Sequence, residues 1–236
     1  MHEEIPLLFG LQGSGEYAAR VALQLHSALA EHEEREFDDG EFKARPLEPV
    51  RDREAVVVHS LYADEQRSVH DKLCRLLFFC AALKDAGARR VTALTPYLCY
   101  ARKERRTQAQ DPIISRYVAG LMESCGIDQV ITLEVHDLAA FENAYRIPTQ
   151  ALSSAQLFAD FFAPLVSGQA VVAVSPDPGG SKRAELFRQA LEQRSGQPVG
   201  SAYMEKHRSN ETLRGSLLTG EVRDKLAIIV DDLIST

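Results

Sequence analysis

Apolar residues enter this chain in short β-branched runs, separated by stretches in which they recur every three or four positions. The runs are Ile5–Phe9, Ala55–His59, Val91–Thr95, Gln129–Val135, Ala170–Ser175, Val199–Met204 and Leu226–Val230, short enough for buried strands. Leu73, Leu76, Leu77, Cys80 and Leu83 predict a helix that Gly87 stops. Ser115 is placed to cap a helix through Met122 that Gly126 ends, and Ser153 or Ser154 to cap Leu157–Leu165. Another helix is expected from Ser181 to Arg194, before Gly196. Strand and helix alternate, which implies mostly parallel sheet covered on both faces. The run AVVAV at 170–174 is apolar at every position, as a doubly covered strand requires. Ile147–Ser153 reads as a connection, dividing the chain into two α/β halves, 1–150 and 151–236, the second shorter and ending on a strand. No short-period repeat is present.

Composition narrows this picture. A chain of 236 residues, 45% apolar, holds one large or two small domains with an ordinary core. The net charge of −7 does not draw polyanions to the whole surface, and no long Lys/Arg run supplies the local patch a nucleic-acid reader needs. Small anionic substrates need only a few cations in one cleft. Cys74, Cys80, Cys99 and Cys125 form no C-x-x-C pair and read as buried structural thiols, which fits a reducing cytoplasm. Met1–Pro6 shows no apolar segment of a signal peptide, and no apolar run approaches the ~18 residues of a membrane helix.

Ligands of open α/β sheets bind beyond the carboxyl ends of strands, so the residues after each run carry the candidate chemistry. Asp231 and Asp232 follow LAIIV directly. They are either solvated loop acids or a pair that accepts hydrogen bonds from vicinal hydroxyls or helps hold a metal. Ser175-Pro-Asp-Pro-Gly-Gly180 opens a helix, which reads as a tight turn or as an anion site. Pro96–Arg106 is densely charged, a solvated basic loop or a cationic cradle. His136 after Thr132–Val135 is a structural or exposed histidine, or a ligand. Gly10-Leu-Gln-Gly-Ser-Gly15 after the first run lacks the G-x-G-x-x-G spacing, which argues against a dinucleotide-binding domain.

Taken in order, these segments resemble the phosphoribosyl pyrophosphate (PRPP) synthetases over almost the whole chain. Phe37-Asp-Asp-Gly-Glu41 resembles F-x-D-G-E, PYLCYARKER at 96–105 resembles P-Y-x-x-Y-A-R-Q-D-R, and Asp111–Ser115 resembles the family's helix entry. Glu134–His136 resembles D-L-H, SPDPGGSKRA at 175–184 resembles S-P-D-x-G-G-x-x-R-A, and Lys206–Arg208 resembles the start of the catalytic loop. Val230–Thr236 resembles the opening of the PRPP-binding motif. Lys103, Glu134 and His207 depart from the usual Gln, Asp and Arg, and Glu104 replaces an Asp. An ammonium only donates where an amide also accepts, so the adenine contacts that the resemblance implies for this position stay open at Lys103.

The resemblance implies two tandem type I phosphoribosyltransferase-like domains, each a mostly parallel sheet flanked by helices, the second incomplete at its C-terminus. It implies transfer of the β,γ-diphosphate of MgATP to ribose 5-phosphate. ATP would be held by Asp39, Glu41, Arg102, Lys103 and His136, and ribose 5-phosphate by Asp177, Asp231, Asp232, Ser235 and Thr236. His136 and Asp177 would hold Mg²⁺, and Lys206 and Arg208 would be catalytic, on a lid formed with the polar stretch 209–220. Asp39 and Glu41 would serve a neighbouring subunit, which implies a cytoplasmic homo-oligomer without nucleic-acid or membrane partners. Family members continue through a glycine-rich phosphate loop, so a chain ending at Thr236 is expected to be weakly active or inactive. Two other readings are a non-catalytic regulatory subunit, which the departures keep open but Lys206, Arg208, His136 and Asp177 argue against, and a PRPP-consuming transferase, which the N-terminal motifs disfavour.

Overall fold

A computed structural model gives the structure of residues 5–209 and 212–234, without the side chains of 206–209 and 212–216. The chain divides into two compact units, Met1–Leu152 and Ser153–Thr236.

The first unit contains β1 (Leu7–Gly10), α1 (Gly15–Gln24), β2 (His32–Glu36), β3 (Phe42–Pro46), β4 (Glu54–Val58), α2 (Val69–Asp85), β5 (Arg90–Thr95), α3 (Ile114–Ser124), β6 (Gln129–Leu133), α4 (Leu138–Ala144) and β7 (Thr149–Leu152). Five strands form one parallel sheet in the order β1-β4-β5-β6-β7. Leu8, Phe9, Val57, Val91 and Val130 are fully or almost fully buried, as doubly covered strands must be. Phe79 of α2 meets Phe9 edge to face at 5.3 Å. Because the strands are parallel, their carboxyl ends share one edge of the sheet.

Helix α2 starts on a capping box: Ser68 Oγ accepts from the Asp71 N–H and the Asp71 carboxylate accepts from the Ser68 N–H. Gly87, at φ +91°, follows its last turn as the spacing predicted. Ser115 is not a cap, since α3 already begins at Ile114 and has no side-chain cap bond. The segment read as a connection at 147–153 holds β7, paired with β6 from Val130↔Thr149 to Leu133↔Leu152. Strands β2 and β3 form an antiparallel ribbon outside the main sheet.

The second unit contains α5 (Ala155–Phe162), β8 (Val171–Ser175), α6 (Ser181–Ser195), β9 (Val199–Ser209), β10 (Thr212–Thr219) and β11 (Leu226–Ile229). Its sheet runs β10-β9-β8-β11, with β8 parallel to β9 and β11, and β10 antiparallel to β9. All five residues of β8 are buried. Phe187 and Leu191 of α6 pack with Val171, Ala173, Val199 and Ile228 on one face of this sheet. The polar stretch expected as a lid instead contains β10, in register with β9 from Thr212↔Ser209 to Thr219↔Tyr203, with a shift between Leu213 and Ser216. Backbone pairing there does not need an apolar face, so periodicity could not reveal it.

Candidate active site

Each unit gathers chemistry at the carboxyl edge of its sheet. In the second unit, β8 leads into Ser175–Gly180 and α6, while β11 beside it leads into Asp231 and Asp232. Val230 N–H donates to the Val174 carbonyl at 2.9 Å and keeps the two strand ends together. The turn after β8 is pinned internally. Ser175 Oγ donates to the Asp177 carbonyl at 2.6 Å, and Asp177 Oδ1 accepts from the Gly180 N–H at 3.0 Å. A Cβ on Gly180 would lie 2.7 Å from Ser175 Oγ, so only glycine fits under this turn.

Arg183, in the first turn of α6, stands over the two acids. Its Nη1 lies 3.8 Å from Asp231 Oδ1 and 3.9 Å from Asp232 Oδ1. Asp231 also accepts from the Asp232 N–H at 2.8 Å. Partial burial raises the Asp231 pKa, and Asp232 and Asp177 raise it further by proximity. The strand-end geometry thus brings Asp177, Asp231 and Asp232 to one sheet edge, the last two under one guanidinium. Sequence reasoning gave Arg183 no role, although it is the arginine of the stretch SPDPGGSKRA. Its signal was a cation two residues into a helix that opens behind a double glycine.

In the first unit, the loop after β5 carries Arg102 and Lys103, both exposed. Tyr100 takes a left-handed φ of +60° there, and its hydroxyl lies 2.5 Å from His70 Nε2. Glu104 turns inward, its side chain only 9% exposed. It lines a small pocket with Leu98, Cys99, Ser115, Asp137 and Tyr145. Asp111 closes the loop, accepting from the Thr107 N–H and hydroxyl and from the Gln108 N–H, which hold its pKa down. After β6, Glu134 takes a positive φ of +44°, a costly conformation for a residue with a Cβ. His136 is exposed beyond it, and Asp137 caps α4 by accepting from the Ala140 N–H at 2.8 Å.

Asp39 and Glu41 sit in the exposed turn between β2 and β3, where the Glu41 N–H donates to Asp39 Oδ1 at 3.0 Å. Gly40 in that turn has φ +87°. Lys206 and Arg208 lie on β9, paired with Ser216 and Leu213; their side chains, and all of Ser235 and Thr236, are outside the described residues. His136 belongs to the first unit and Asp177 to the second. Among the described residues, no group of three or more His, Cys, Asp or Glu is arranged to hold a metal ion. Of the four cysteines, all free, Cys80 and Cys99 are buried, Cys125 is partly buried and Cys74 is exposed, against the expectation for buried thiols.

Two α/β units, with an acid pair after one strand and a glycine turn after its neighbour, define the type I phosphoribosyltransferase-like class. Residues 7–126 match the family described as the N-terminal domain of ribose phosphate pyrophosphokinase. The chain is 33% identical over 233 residues to ribose-phosphate pyrophosphokinase 1 of Streptococcus pneumoniae, covering 97% of this chain and 69% of that protein. It is 31% identical over 236 residues to ribose-phosphate pyrophosphokinase A of Dictyostelium discoideum, covering 100% and 71%. The crystal structure of phosphoribosylpyrophosphate synthetase from Mycobacterium smegmatis superposes with a TM-score of 0.82 at 27% identity, covering 97% of this chain and 72% of that one. The chain belongs to the ribose-phosphate pyrophosphokinase family.

Proposed function

We propose that this protein transfers the β,γ-diphosphate of MgATP to the anomeric hydroxyl of ribose 5-phosphate. The observation that carries the reading is the meeting of Asp231, Asp232 and the Ser175–Gly180 turn at one sheet edge. Two carboxylates there suit vicinal hydroxyls, which need acceptors, and the turn holds a third acid nearby.

The anomeric oxygen attacks the β-phosphorus as the bond from that phosphorus to the oxygen bridging it to the α-phosphorus breaks. AMP leaves with that oxygen, and the hydroxyl proton is lost. Positioning and charge neutralisation supply most of such a barrier reduction. On this reading the second unit, Ser153–Thr236, holds ribose 5-phosphate through Asp177, Asp231, Asp232, Ser235 and Thr236, and the first holds ATP through Arg102, Lys103 and His136. Lys206 and Arg208 neutralise the transferring group.

Mg²⁺ prefers hard oxygen donors, and the carboxylates of Asp177, Asp231 and Asp232 are such donors. Asp177 is held in its turn by the Gly180 N–H and would offer a carboxylate oxygen; the exposed imidazole of His136 fits less well. When bound, Mg²⁺ neutralises phosphate oxygens. Asp39 and Glu41 serve the nucleotide of a neighbouring subunit, so the working form is a homo-oligomer, and its compartment is the cytoplasm. No helix among the described residues is long and apolar enough to cross a membrane.

The test is AMP release from MgATP on addition of ribose 5-phosphate. AMP formed in step with PRPP supports the reading. Pyrophosphate release from PRPP and a base would make the protein a transferase instead. Nucleotide binding without turnover would make it a regulatory subunit.

A further inference from the structure

The β2–β3 ribbon stands outside the main sheet of the first unit. Two strands alone are marginal in water, and these pair only with each other. Strand β2, HEERE, has no fully buried residue, so hydrophobic burial does little to fix its direction. Yet its far end carries the turn with Asp39 and Glu41. Something else must hold the ribbon at a fixed angle if those two acids are to meet a ligand reproducibly.

Arg75, buried in α2 with a side chain 6% exposed, touches both strands. Its Nη2 donates to Glu36 Oε2 at 2.6 Å, and its Nη1 lies 3.8 Å from Glu34 Oε2. Both acids are on β2. On the β3 side, its guanidinium lies 4.4 Å from the centroid of the Phe42 ring, which in turn stacks on Phe78 of α2 at 5.7 Å. Glu36 immediately precedes the turn and Phe42 immediately follows it, so Arg75 grips the ribbon at its neck.

Two further bonds act on the same strand. Arg67 Nη2 donates to Glu36 Oε2 at 3.2 Å, and the Gln12 N–H donates to Glu34 Oε1 at 2.7 Å. Burial alone would raise the Glu34 pKa, but His32 and the Gln12 N–H hold it below the usual range. Glu36 is held low by Arg75 and Arg67.

We infer that Arg75 is a positioning residue for the nucleotide, acting through the β2–β3 turn that carries Asp39 and Glu41. A planar fork over an aromatic ring suits this task, because it fixes two strands at once and cannot lose its charge. The inference rests on the reading that Asp39 and Glu41 contact nucleotide.

The test is steady-state AMP release with MgATP and ribose 5-phosphate varied separately. Arg75→Gln should raise the KM for MgATP about tenfold while leaving that for ribose 5-phosphate within about twofold. Arg75→Lys keeps the charge but loses the fork and should fall between. The effect should shrink in a Glu41→Gln background, because a residue that works through the turn then has only Asp39 left to position. Glu36→Gln, at an exposed carboxylate, should raise the same KM severalfold without threatening the fold, and it decides the matter if Arg75→Gln does not fold. Glu41→Gln with an unchanged KM for MgATP would remove the nucleotide role of the turn and the inference with it. If Glu41→Gln raises that KM but Arg75→Gln and Glu36→Gln do not, only the positioning role is overturned. Arg75→Gln acting equally in wild-type and Glu41→Gln backgrounds overturns it too.

Discussion

His59 is fully buried at the end of β4, where Ser14 Oγ lies 3.2 Å from its Nδ1 and also accepts from the Ser60 N–H. Burial pushes its pKa down to about 4; Glu34 opposes this shift, while Lys72, Arg67 and Arg75 reinforce it. The folded state therefore keeps a neutral ring where the unfolded chain takes up a proton near pH 6.5. Between those values the unfolded state binds more protons, so stability falls as pH drops from about 6.5 to about 4. The loss is on the order of 3 kcal/mol for a shift of this size. Urea denaturation at pH 7.5 and pH 4.5 should show it, and His59→Gln should flatten the difference while lowering stability at pH 7.5.

Asp231 has the opposite sign. Its raised pKa means that the folded state loses stability as pH rises above the ordinary carboxylate range. Asp231→Asn should therefore fold at least as well as the parent at pH 7. If the acid accepts a ribose hydroxyl, the same change should raise the KM for ribose 5-phosphate about tenfold or more, as expected for losing a charge-assisted hydrogen bond. Paired thermal melts and steady-state kinetics would read both effects.

At the scale of elements, strands buried on both faces were legible and half-exposed ones were not. β8 appears in the sequence as an uninterrupted apolar run because both of its faces are covered. β2 is a strand of Glu, Arg and His whose charges are satisfied by α2 and the β1–α1 turn, so its pattern reads as a loop. β7 has four residues and edges the sheet, too short to show a period. Helix α2 was found by its apolar stripe, yet Lys72 and Arg75 lie buried on it. Lys72 Nζ pairs with Asp64 Oδ2 at 2.6 Å and lies over the Tyr62 ring at 4.2 Å. Arg75, a cation within a buried stripe, was the signal for the ribbon contacts, and binary patterning passes over it. For the candidate site, motifs located the strand-end acids and contained Arg183, but did not show that its guanidinium stands over them. Because α2 carries these charges, its start matters. Ser68→Ala, which removes one half of the capping box, should cost about 1 kcal/mol in chemical denaturation.

Across the whole molecule, each unit has its own core. Phe187, 1% exposed, sits at the centre of the second, against Phe162 and the strands β8 and β9. Phe187→Ala should cost about 3–5 kcal/mol. Hydrogen exchange should show the lost protection concentrated in α5, α6 and β8–β11, with the five-stranded sheet of the first unit keeping its slow amides.

The order of strands has a consequence during synthesis. In the first sheet β4, β5, β6 and β7 lie side by side in the order in which they are translated, with β1 on the far flank of β4. Each new strand can thus dock on the one made just before it, and the open edge at any moment is the youngest. The second sheet offers no such sequence. Its buried centre, β8, takes one neighbour, β9, early, but the other, β11, is paired through Leu226↔Val171 and is translated only after β9 and β10. At roughly 5–20 residues per second, one flank of β8 stays bare for several seconds on the ribosome. That interval, more than any weakness of the finished fold, is when the second unit is open to wrong partners.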